Sequence, residues 1–216
     1  VDTDGDGMYD GFEVINDLNP LVPDAGDDQD EDGLTNGEEW DRGTRANLSD
    51  TEGDGMPDGY EVLNGLDPLA SDAVFDPDHD GLANIAEFQA GTDPNNPDTD
   101  GDAMTDGYEV RSGLNPFAND STGDPDGDGL TNLEEFDSGT RADLADSDAD
   151  GMPDDYEIEH GLAPLTNDSG GDLDGDDLVN LVEFQSGTNP NNPDTDSDSL
   201  PDGYEVLNGL DPLVDD

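Results

Sequence analysis

The chain has 216 residues, with 61 Asp or Glu against 4 Arg, no Lys and no Cys, and its formal net charge is −57. A surface this acidic excludes binding to nucleic acid or to an anionic membrane. Only 29 % of the residues are apolar, and no hydrophobic run approaches membrane-spanning length. So few apolar residues cannot stabilise a fold alone, and the acidic residues must contribute to its stability if the chain folds.

The first predicted element is a twelve-residue loop over residues 2–13. Asp occupies positions 1, 3, 5 and 9, Gly occupies position 6, and Glu occupies position 12. This is the ligand spacing of an EF-hand calcium loop, in which alternate side chains, the backbone carbonyl at position 7 and a bidentate Glu surround a hard cation. Glycine at position 6 permits the left-handed backbone of the sharp turn. Calcium is predicted rather than magnesium, because magnesium requires a compact octahedron and keeps its waters.

The same loop recurs along the whole chain in two kinds. First-kind loops begin at residues 2, 50, 98, 146 and 194 and carry Asp at position 9, whereas second-kind loops begin at residues 28, 76, 124 and 172 and carry Asn there. The steps alternate between 26 and 22 residues, so the repeat unit has 48 residues. We expect one repeat array with about nine Ca²⁺ ions. Its four units and final half unit are residues 2–49, 50–97, 98–145, 146–193 and 194–216.

Each loop offers six predicted calcium ligands, of which the fourth is a backbone carbonyl. In the first-kind loops they are Asp2, Asp4, Asp6, Met8, Asp10 and Glu13; Asp50, Glu52, Asp54, Met56, Asp58 and Glu61; Asp98, Asp100, Asp102, Met104, Asp106 and Glu109; Asp146, Asp148, Asp150, Met152, Asp154 and Glu157; and Asp194, Asp196, Asp198, Leu200, Asp202 and Glu205. In the second-kind loops they are Asp28, Asp30, Asp32, Leu34, Asn36 and Glu39; Asp76, Asp78, Asp80, Leu82, Asn84 and Glu87; Asp124, Asp126, Asp128, Leu130, Asn132 and Glu135; and Asp172, Asp174, Asp176, Leu178, Asn180 and Glu183.

A short helix is predicted after each loop. In residues 60–68, an aromatic residue and Glu lead into an apolar segment that ends in Gly-Leu-x-Pro, which indicates about two helical turns capped by Gly65 and stopped by Pro68. After second-kind loops the corresponding helix, for example residues 84–90, ends at Gly-Thr. No helical pattern precedes any loop. The predicted fold class is therefore a repeat or solenoid-like array of half EF-hands, mostly loops with short α-helices and little or no β-sheet.

The predicted apolar clusters are small. We expect Met56, Tyr60, Leu63 and Leu66 to form the apolar cluster of one half-unit, and Leu82, Ile85 and Phe88 that of the other. Such a cluster is too small to fold one half-unit alone, so neighbouring half-units are expected to stack. Pro57 lies at loop position 8 and has no N–H. The face-to-face loop pairing of complete EF-hands is therefore expected to be incomplete.

The nine sites are not expected to bind calcium equally. Position 6 is Gly in six loops, but it is Ala103, Asp177 and Ser199 in the others. A left-handed backbone costs a non-glycine residue about 1–2 kcal/mol, so these three sites should be weaker.

No enzymatic site is indicated. The sequence places no Ser or Cys nucleophile in a catalytic motif with His79 or His160. Every glycine-rich stretch belongs to a predicted calcium loop, so none resembles a phosphate-binding loop. Arg45 and Arg141 follow Gly-Thr in corresponding spacers. We expect them to offset nearby acids, with partner binding as the alternative.

Two loop motifs carry a resemblance to known proteins. Residues 124–136 have the pattern Asp-x-Asp-Gly-Asp-Gly-Leu-Thr-Asn-x-Glu-Glu-Phe, and residues 146–157 are Asp-Ser-Asp-Ala-Asp-Gly-Met-Pro-Asp-Asp-Tyr-Glu. The chain resembles the bacterial thrombospondin type-3 repeats over essentially its whole length. The second motif is also similar to the calcium loop of the protective-antigen component of binary toxins. The resemblance implies calcium-bound extracellular or surface modules, which serve as spacers, stalks or adhesive segments.

The leading functional hypothesis is a calcium-stabilised structural segment, namely a rod, stalk or filament subunit of a secreted or surface-attached bacterial protein, that folds on calcium binding. The alternative is a recognition or adhesion module that works in the manner of a dockerin, in which calcium shapes a surface for a protein partner. Asp216 aligns with Asp24 in the 48-residue register. We therefore expect the array to continue in a longer chain or to associate head to tail, without nucleic acid or membrane insertion.

Overall fold

The computed structural model describes residues 1–215, so the predicted alignment of Asp216 lies outside the described residues. These residues form nine short α-helices joined by loops and no β-strand, which confirms the predicted fold class. Within the same range no helix is long and apolar enough to cross a membrane. The helices are α1 (Asp10–Ile15), α2 (Asn36–Arg42), α3 (Asp58–Asn64), α4 (Asn84–Ala90), α5 (Asp106–Ser112), α6 (Asn132–Ser138), α7 (Asp154–His160), α8 (Asn180–Ser186) and α9 (Asp202–Asn208).

Each helix begins at position 9 of its loop and ends within about two turns. Helix α2 starts with a capping box, in which the Thr35 side chain accepts a hydrogen bond from the Glu38 N–H and the Glu38 side chain accepts one from the Thr35 N–H. Helix α3 ends at the predicted Gly65, whose φ of 72° is left-handed. Helix α1 is one residue shorter, and Asp17 (φ 60°) takes the left-handed place that glycine holds in later units.

Aromatic side chains of consecutive helices pack against each other. The pairs, with ring centroids 4.8–5.1 Å apart, are Phe12–Trp40, Tyr60–Phe88 and Tyr156–Phe184. Leu63 does not join such a cluster, because its side chain is 83 % exposed, and the expectation that it packs beside Tyr60 is wrong. A two-turn helix buries only one stripe, and in α3 that stripe is taken by Asp58 and Glu61.

The described chain divides into two compact units. The first comprises Val1–Gly101 with Thr105–Val110, and the second comprises Asp102–Met104 with the chain from Arg111 onward. The first unit has a small buried cluster of Met8, Leu18 and Ala46. The 48-residue boundaries predicted from the sequence repeat remain a prediction.

Within each compact unit, the aspartate at loop position 5 joins its loop to the next half-unit. Asp54 Oδ2 accepts hydrogen bonds from the N–H groups of Asp72 and Ala73, both at 2.9 Å, in the turn before the next loop. Asp32 Oδ2 accepts one from the N–H of Gly59 at the start of α3, at 3.2 Å. Equivalent bonds are accepted by Asp6, Asp80, Asp102, Asp128, Asp150 and Asp176.

Candidate metal centres

The carboxylates of each loop are held in place by the loop's own backbone. Asp50 Oδ1 accepts a hydrogen bond from the Gly53 N–H at 2.6 Å, and Asp50 Oδ2 accepts one from the Gly55 N–H at 2.9 Å. Asp54 Oδ1 accepts one from the Met56 N–H at 3.2 Å. These hydrogen bonds wind the loop tightly. Each bond uses one lone pair of its acceptor oxygen, so other lone pairs of the same carboxylates remain available to an ion inside the loop.

Two residues of every loop have a left-handed backbone. The nine residues at position 6 all have positive φ, including Ala103 (80°), Asp177 (75°) and Ser199 (84°), as the sequence predicted. Position 4 is also left-handed in all nine loops, which sequence analysis missed. The signal was present, because five of the nine position-4 residues are Gly. The four others are Glu31 (63°), His79 (66°), Ala149 (61°) and Ser197 (70°).

The glutamate at position 12 has no exposed surface in any of the nine loops. Neither carboxylate oxygen of Glu39 or of Glu61 has a hydrogen-bond partner. Burial, reinforced by neighbouring carboxylates, raises the pKa of Glu39 to about 8 and that of Glu61 to about 9. A buried carboxylate without a partner costs several kcal/mol if charged, and a bound cation removes that cost.

The carboxylates at positions 1, 3 and 5 converge as the spacing predicts. In loop 146–157, ligand oxygens of Asp146, Asp148, Asp150 and Glu157 all lie within 4.8 Å of one another. The corresponding residues of loops 2–13 and 28–39 form similar groups at positions 1, 3 and 5. All these donors are hard oxygens, which is the ligand type that Ca²⁺ prefers.

Sequence analysis missed a carboxylate that the turn after a first-kind loop adds to its site. Asp24 lies with Asp6 and Glu13, and their ligand oxygens are within 4.8 Å of one another. Asp24 Oδ1 is buried without a hydrogen-bond partner. The recurrence of Asp four residues before every second-kind loop was the available signal. The counterparts of Asp24 are Asp72, Asp120 and Asp168.

The aspartate at position 9 of a first-kind loop has contacts on two sides. Both oxygens of Asp58 accept hydrogen bonds from Thr51 in its own loop, from the backbone N–H at 2.8 Å and from the hydroxyl at 2.7 Å. Asp58 also groups with Asp32 and Glu39 of the preceding loop, with ligand oxygens within 4.8 Å of one another. Its assignment as a ligand of its own loop therefore remains a prediction, beside a second possible role.

The asparagine at position 9 of a second-kind loop is positioned by the preceding turn. Asn36 Nδ2 donates to the backbone carbonyl of Asp24 at 2.9 Å, while Asn36 Oδ1 is buried without a hydrogen-bond partner. The amide oxygen is therefore free to act as a neutral ligand. Asn84, Asn132 and Asn180 make the same contact.

The position-7 side chains lie inside the fold. The residues whose carbonyls are predicted ligands have fully buried side chains in the four loops with methionine, namely Met8, Met56, Met104 and Met152. Burial of this side chain anchors the backbone that carries the predicted ligand carbonyl.

Of the other polar residues considered in the sequence, His79 and Arg141 are exposed and His160 is half-buried. The ring of His160 lies 4.2 Å from the ring of Tyr156. Arg141 forms a salt bridge with Asp143 at 2.8 Å, which agrees with a role in offsetting local acid.

Comparison with protein families gives one match. The model of the bacterial TSP3 repeat matches five segments, residues 2–23, 28–44, 76–97, 98–117 and 124–140. No curated protein and no solved structure gives a significant match to the chain. The loops that begin at residues 50, 146, 172 and 194 lie outside the matched segments, but their left-handed positions and buried glutamates are the same.

Proposed function

Since this chain contains five segments that match the bacterial TSP3 repeat, and TSP3 repeats are calcium-binding structural repeats, we propose that it is a structural spacer that folds when its loops bind calcium. The spacer would form a rod, stalk or filament subunit of a secreted or surface-attached bacterial protein. The proposed ligands are the residues at positions 1, 3, 5, 7, 9 and 12 of each loop, with the Asp24-type carboxylate added to first-kind sites.

The observation that carries this proposal is the complete burial of the position-12 glutamates, two of which, Glu39 and Glu61, have no hydrogen-bond partner on either carboxylate oxygen. Without an ion, the folded chain must bury carboxylates that repel one another, and its apolar clusters are too small to offset that cost. With an ion, the same carboxylates become ligands and the free energy of binding becomes free energy of folding. The chain has no Cys, so metal takes the stabilising task that disulfides have in other small-core proteins.

Circular dichroism and small-angle scattering, with calcium and with chelator, test the coupling of folding to binding. We expect helical signal and compactness to appear on calcium addition, with dissociation constants on the order of 10⁻⁴ to 10⁻³ M as in extracellular modules. Glu61→Gln should weaken the transition. Glu159→Gln removes the same charge from an exposed position outside the loops and should not. A chain that is equally helical and compact in chelator would overturn the proposal.

An extracellular location is part of the proposal, because TSP3 repeats occur in extracellular proteins. Sites with millimolar to tenth-millimolar dissociation constants fill outside cells and stay empty at cytosolic calcium levels. Immunogold labelling of thin sections of producing cells tests this part separately. Label confined to the cytoplasm would contradict it without touching the calcium chemistry.

One observation favours a recognition or adhesion module as the second candidate. A large apolar side chain follows the proline after each first-kind helix, and all five are about half exposed or more. They recur every 48 residues: Leu21, Leu69, Phe117, Leu165 and Leu213. Phe117→Ser should abolish capture of a stoichiometric partner from the producing organism if this candidate is right, and should change nothing if the chain is a spacer.

A further inference from the structure

The second-kind loops share an acidic side chain with the loop that follows them. Asp32 and Glu39 of loop 28–39 lie within 4.8 Å, oxygen to oxygen, of Asp58 from loop 50–61. Glu39 and Asp58 have no exposed surface, and both oxygens of Glu39 lack a hydrogen-bond partner. A cation bound at Glu39 would therefore also be neutralised by Asp58.

The position of Asp58 is set by its own loop. Thr51, at position 2 of that loop, holds both carboxylate oxygens, and the Asp58 N–H donates to the Ser49 carbonyl at 2.9 Å. Because Thr51 is fixed only when loop 50–61 is wound, the folding of that loop on its own ion places Asp58 beside Glu39. The neighbouring N–H of Gly59 donates to Asp32, so backbone and side chain join the two loops at the same point.

The arrangement recurs in the second compact unit. Ser147 holds both oxygens of Asp154 at 2.9 and 2.7 Å, and Asp154 is one of the carboxylates that, after burial, raise the pKa of Glu135 to about 8. Asp155 donates its N–H to Asp128, as Gly59 does to Asp32. First-kind sites differ, because their added carboxylate, Asp24 or a counterpart, comes from a spacer turn and belongs to no loop.

We propose that Asp58 and its counterparts complete the calcium site of the preceding second-kind loop, so that the two loops bind calcium as a cooperative pair. Two such pairs are loops 28–39 with 50–61 and loops 124–135 with 146–157, and each of these pairs spans a boundary of the 48-residue sequence repeat. This inference rests on the proposed calcium function. It adds that calcium binding to a first-kind loop favours calcium binding to the second-kind loop before it.

Trp40 gives a direct readout, because it is the only Trp and it follows the ligand Glu39 in the chain. Calcium titration of the full chain, followed by Trp40 fluorescence, is compared for the wild type, Asp58→Asn and Asp106→Asn. Asp106 is the matched control, since it is held by Thr99 in the same way but follows loop 76–87 instead of loop 28–39. We expect Asp58→Asn to raise the calcium midpoint about tenfold, and Asp106→Asn to leave it within about twofold.

A second variant guards against misfolding of Asp58→Asn. Glu61→Gln weakens the ion of loop 50–61 while leaving Asp58 in place, and it should also raise the Trp40 midpoint, whereas Glu87→Gln should not. Equal midpoints for wild type, Asp58→Asn and Glu61→Gln would overturn the pairing. A wild-type chain whose Trp40 signal does not respond to calcium would instead overturn the proposed function.

Discussion

Backbone strain in the loops is concentrated at positions 4 and 6, where every residue has a positive φ. Glycine accepts this conformation without cost, whereas other residues lose about 1–2 kcal/mol. The strain therefore differs between loops that have the same ligands, and it should translate into different calcium affinities.

Ala103→Gly and Ala149→Gly should each tighten the calcium site that contains them by about tenfold, because each removes about 1–2 kcal/mol of strain from the wound loop. Site-resolved NMR titration with calcium measures the change. The matched control is Gly5→Ala, which introduces the same strain at position 4 of loop 2–13 and should weaken that site. Unchanged affinities in all three variants would show that the loops relax in another way.

Proton binding to the buried glutamates should make the ion-free chain more stable in acid. Burial raises the pKa of Glu39 to about 8 and of Glu61 to about 9, from an ordinary value of 4.5. Since the folded pKa is the higher one, the folded chain keeps protons that the unfolded chain releases. The folded form is thus favoured below pH 4.5 and loses stability as the pH rises through the folded pKa.

We expect calcium-free protein to gain helical circular dichroism when it is acidified from pH 8 to pH 5, while its calcium affinity falls because protons compete for the same oxygens. The variant Glu61→Gln should show a smaller gain than Glu159→Gln, which removes the same charge from an exposed position and controls for the loss of net charge. The reading would fail if the three proteins responded to acid in the same way.

At the residue scale, the grouping of carboxylates inside one loop was predictable, but the grouping of carboxylates from different half-units was not. Spacing alone identifies Asp146, Asp148 and Asp150, because a twelve-residue loop brings its own alternate residues together. Asp24 enters a site from outside the loop, and its contact with Glu13 depends on how the next turn is placed. That placement is made by packing and by the Asp6 hydrogen bonds, which sequence spacing does not encode.

At the scale of elements, the short helices depend on glycine for close contact as well as for termination. Gly59 lies in the first turn of α3, and a Cβ there would collide with the Asp32 carbonyl of the preceding half-unit. Gly11 has the same place in α1, but no atom lies within 4 Å of a Cβ built on it. Substitution of Gly11 therefore changes helix propensity alone, whereas substitution of Gly59 also changes the packing between half-units.

Gly59→Ala should lower the calcium-loaded melting temperature, because overpacking costs about 1–3 kcal/mol and exceeds the gain in helix propensity. Gly11→Ala should raise it slightly. Asp155 stands at the same place in the second compact unit, so this contact can adjust to a side chain and the cost should be at the lower end. Calorimetry that found equal effects for the two variants would argue against close packing at Gly59.

Helix starts and ends were largely predictable because their signals are local. Position 9 begins each helix, and Gly65 and its counterparts end most of them. The exposure of Leu63 was not predictable from its apolar character, since the buried stripe of α3 is occupied by the carboxylates of Asp58 and Glu61. In this helix the predicted ligand residues take the core positions that apolar residues hold in ordinary helices.

At the scale of the whole molecule, the division into two compact units predicts that the first unit folds without the second. A fragment of residues 1–110 should bind calcium and become helical, and its Trp40 transition should have the midpoint of the full chain. Contacts in a repeat array run between neighbours, so removal of distant half-units leaves the first sites unchanged. A fragment that stayed unfolded at saturating calcium would contradict the division.

The buried methionines at position 7 link calcium to oxidative damage. They are the only sulfur-containing residues of the chain, and peroxide can reach their thioethers only when the loops open. Sulfoxide formation makes the side chain polar, so an oxidised methionine no longer fits its apolar site. Mass spectrometry after a peroxide pulse should find Met8, Met56, Met104 and Met152 intact with calcium and oxidised with chelator. A chain that loses calcium in the presence of an oxidant would then retain methionine sulfoxide, and it would fail to refold when calcium is added again.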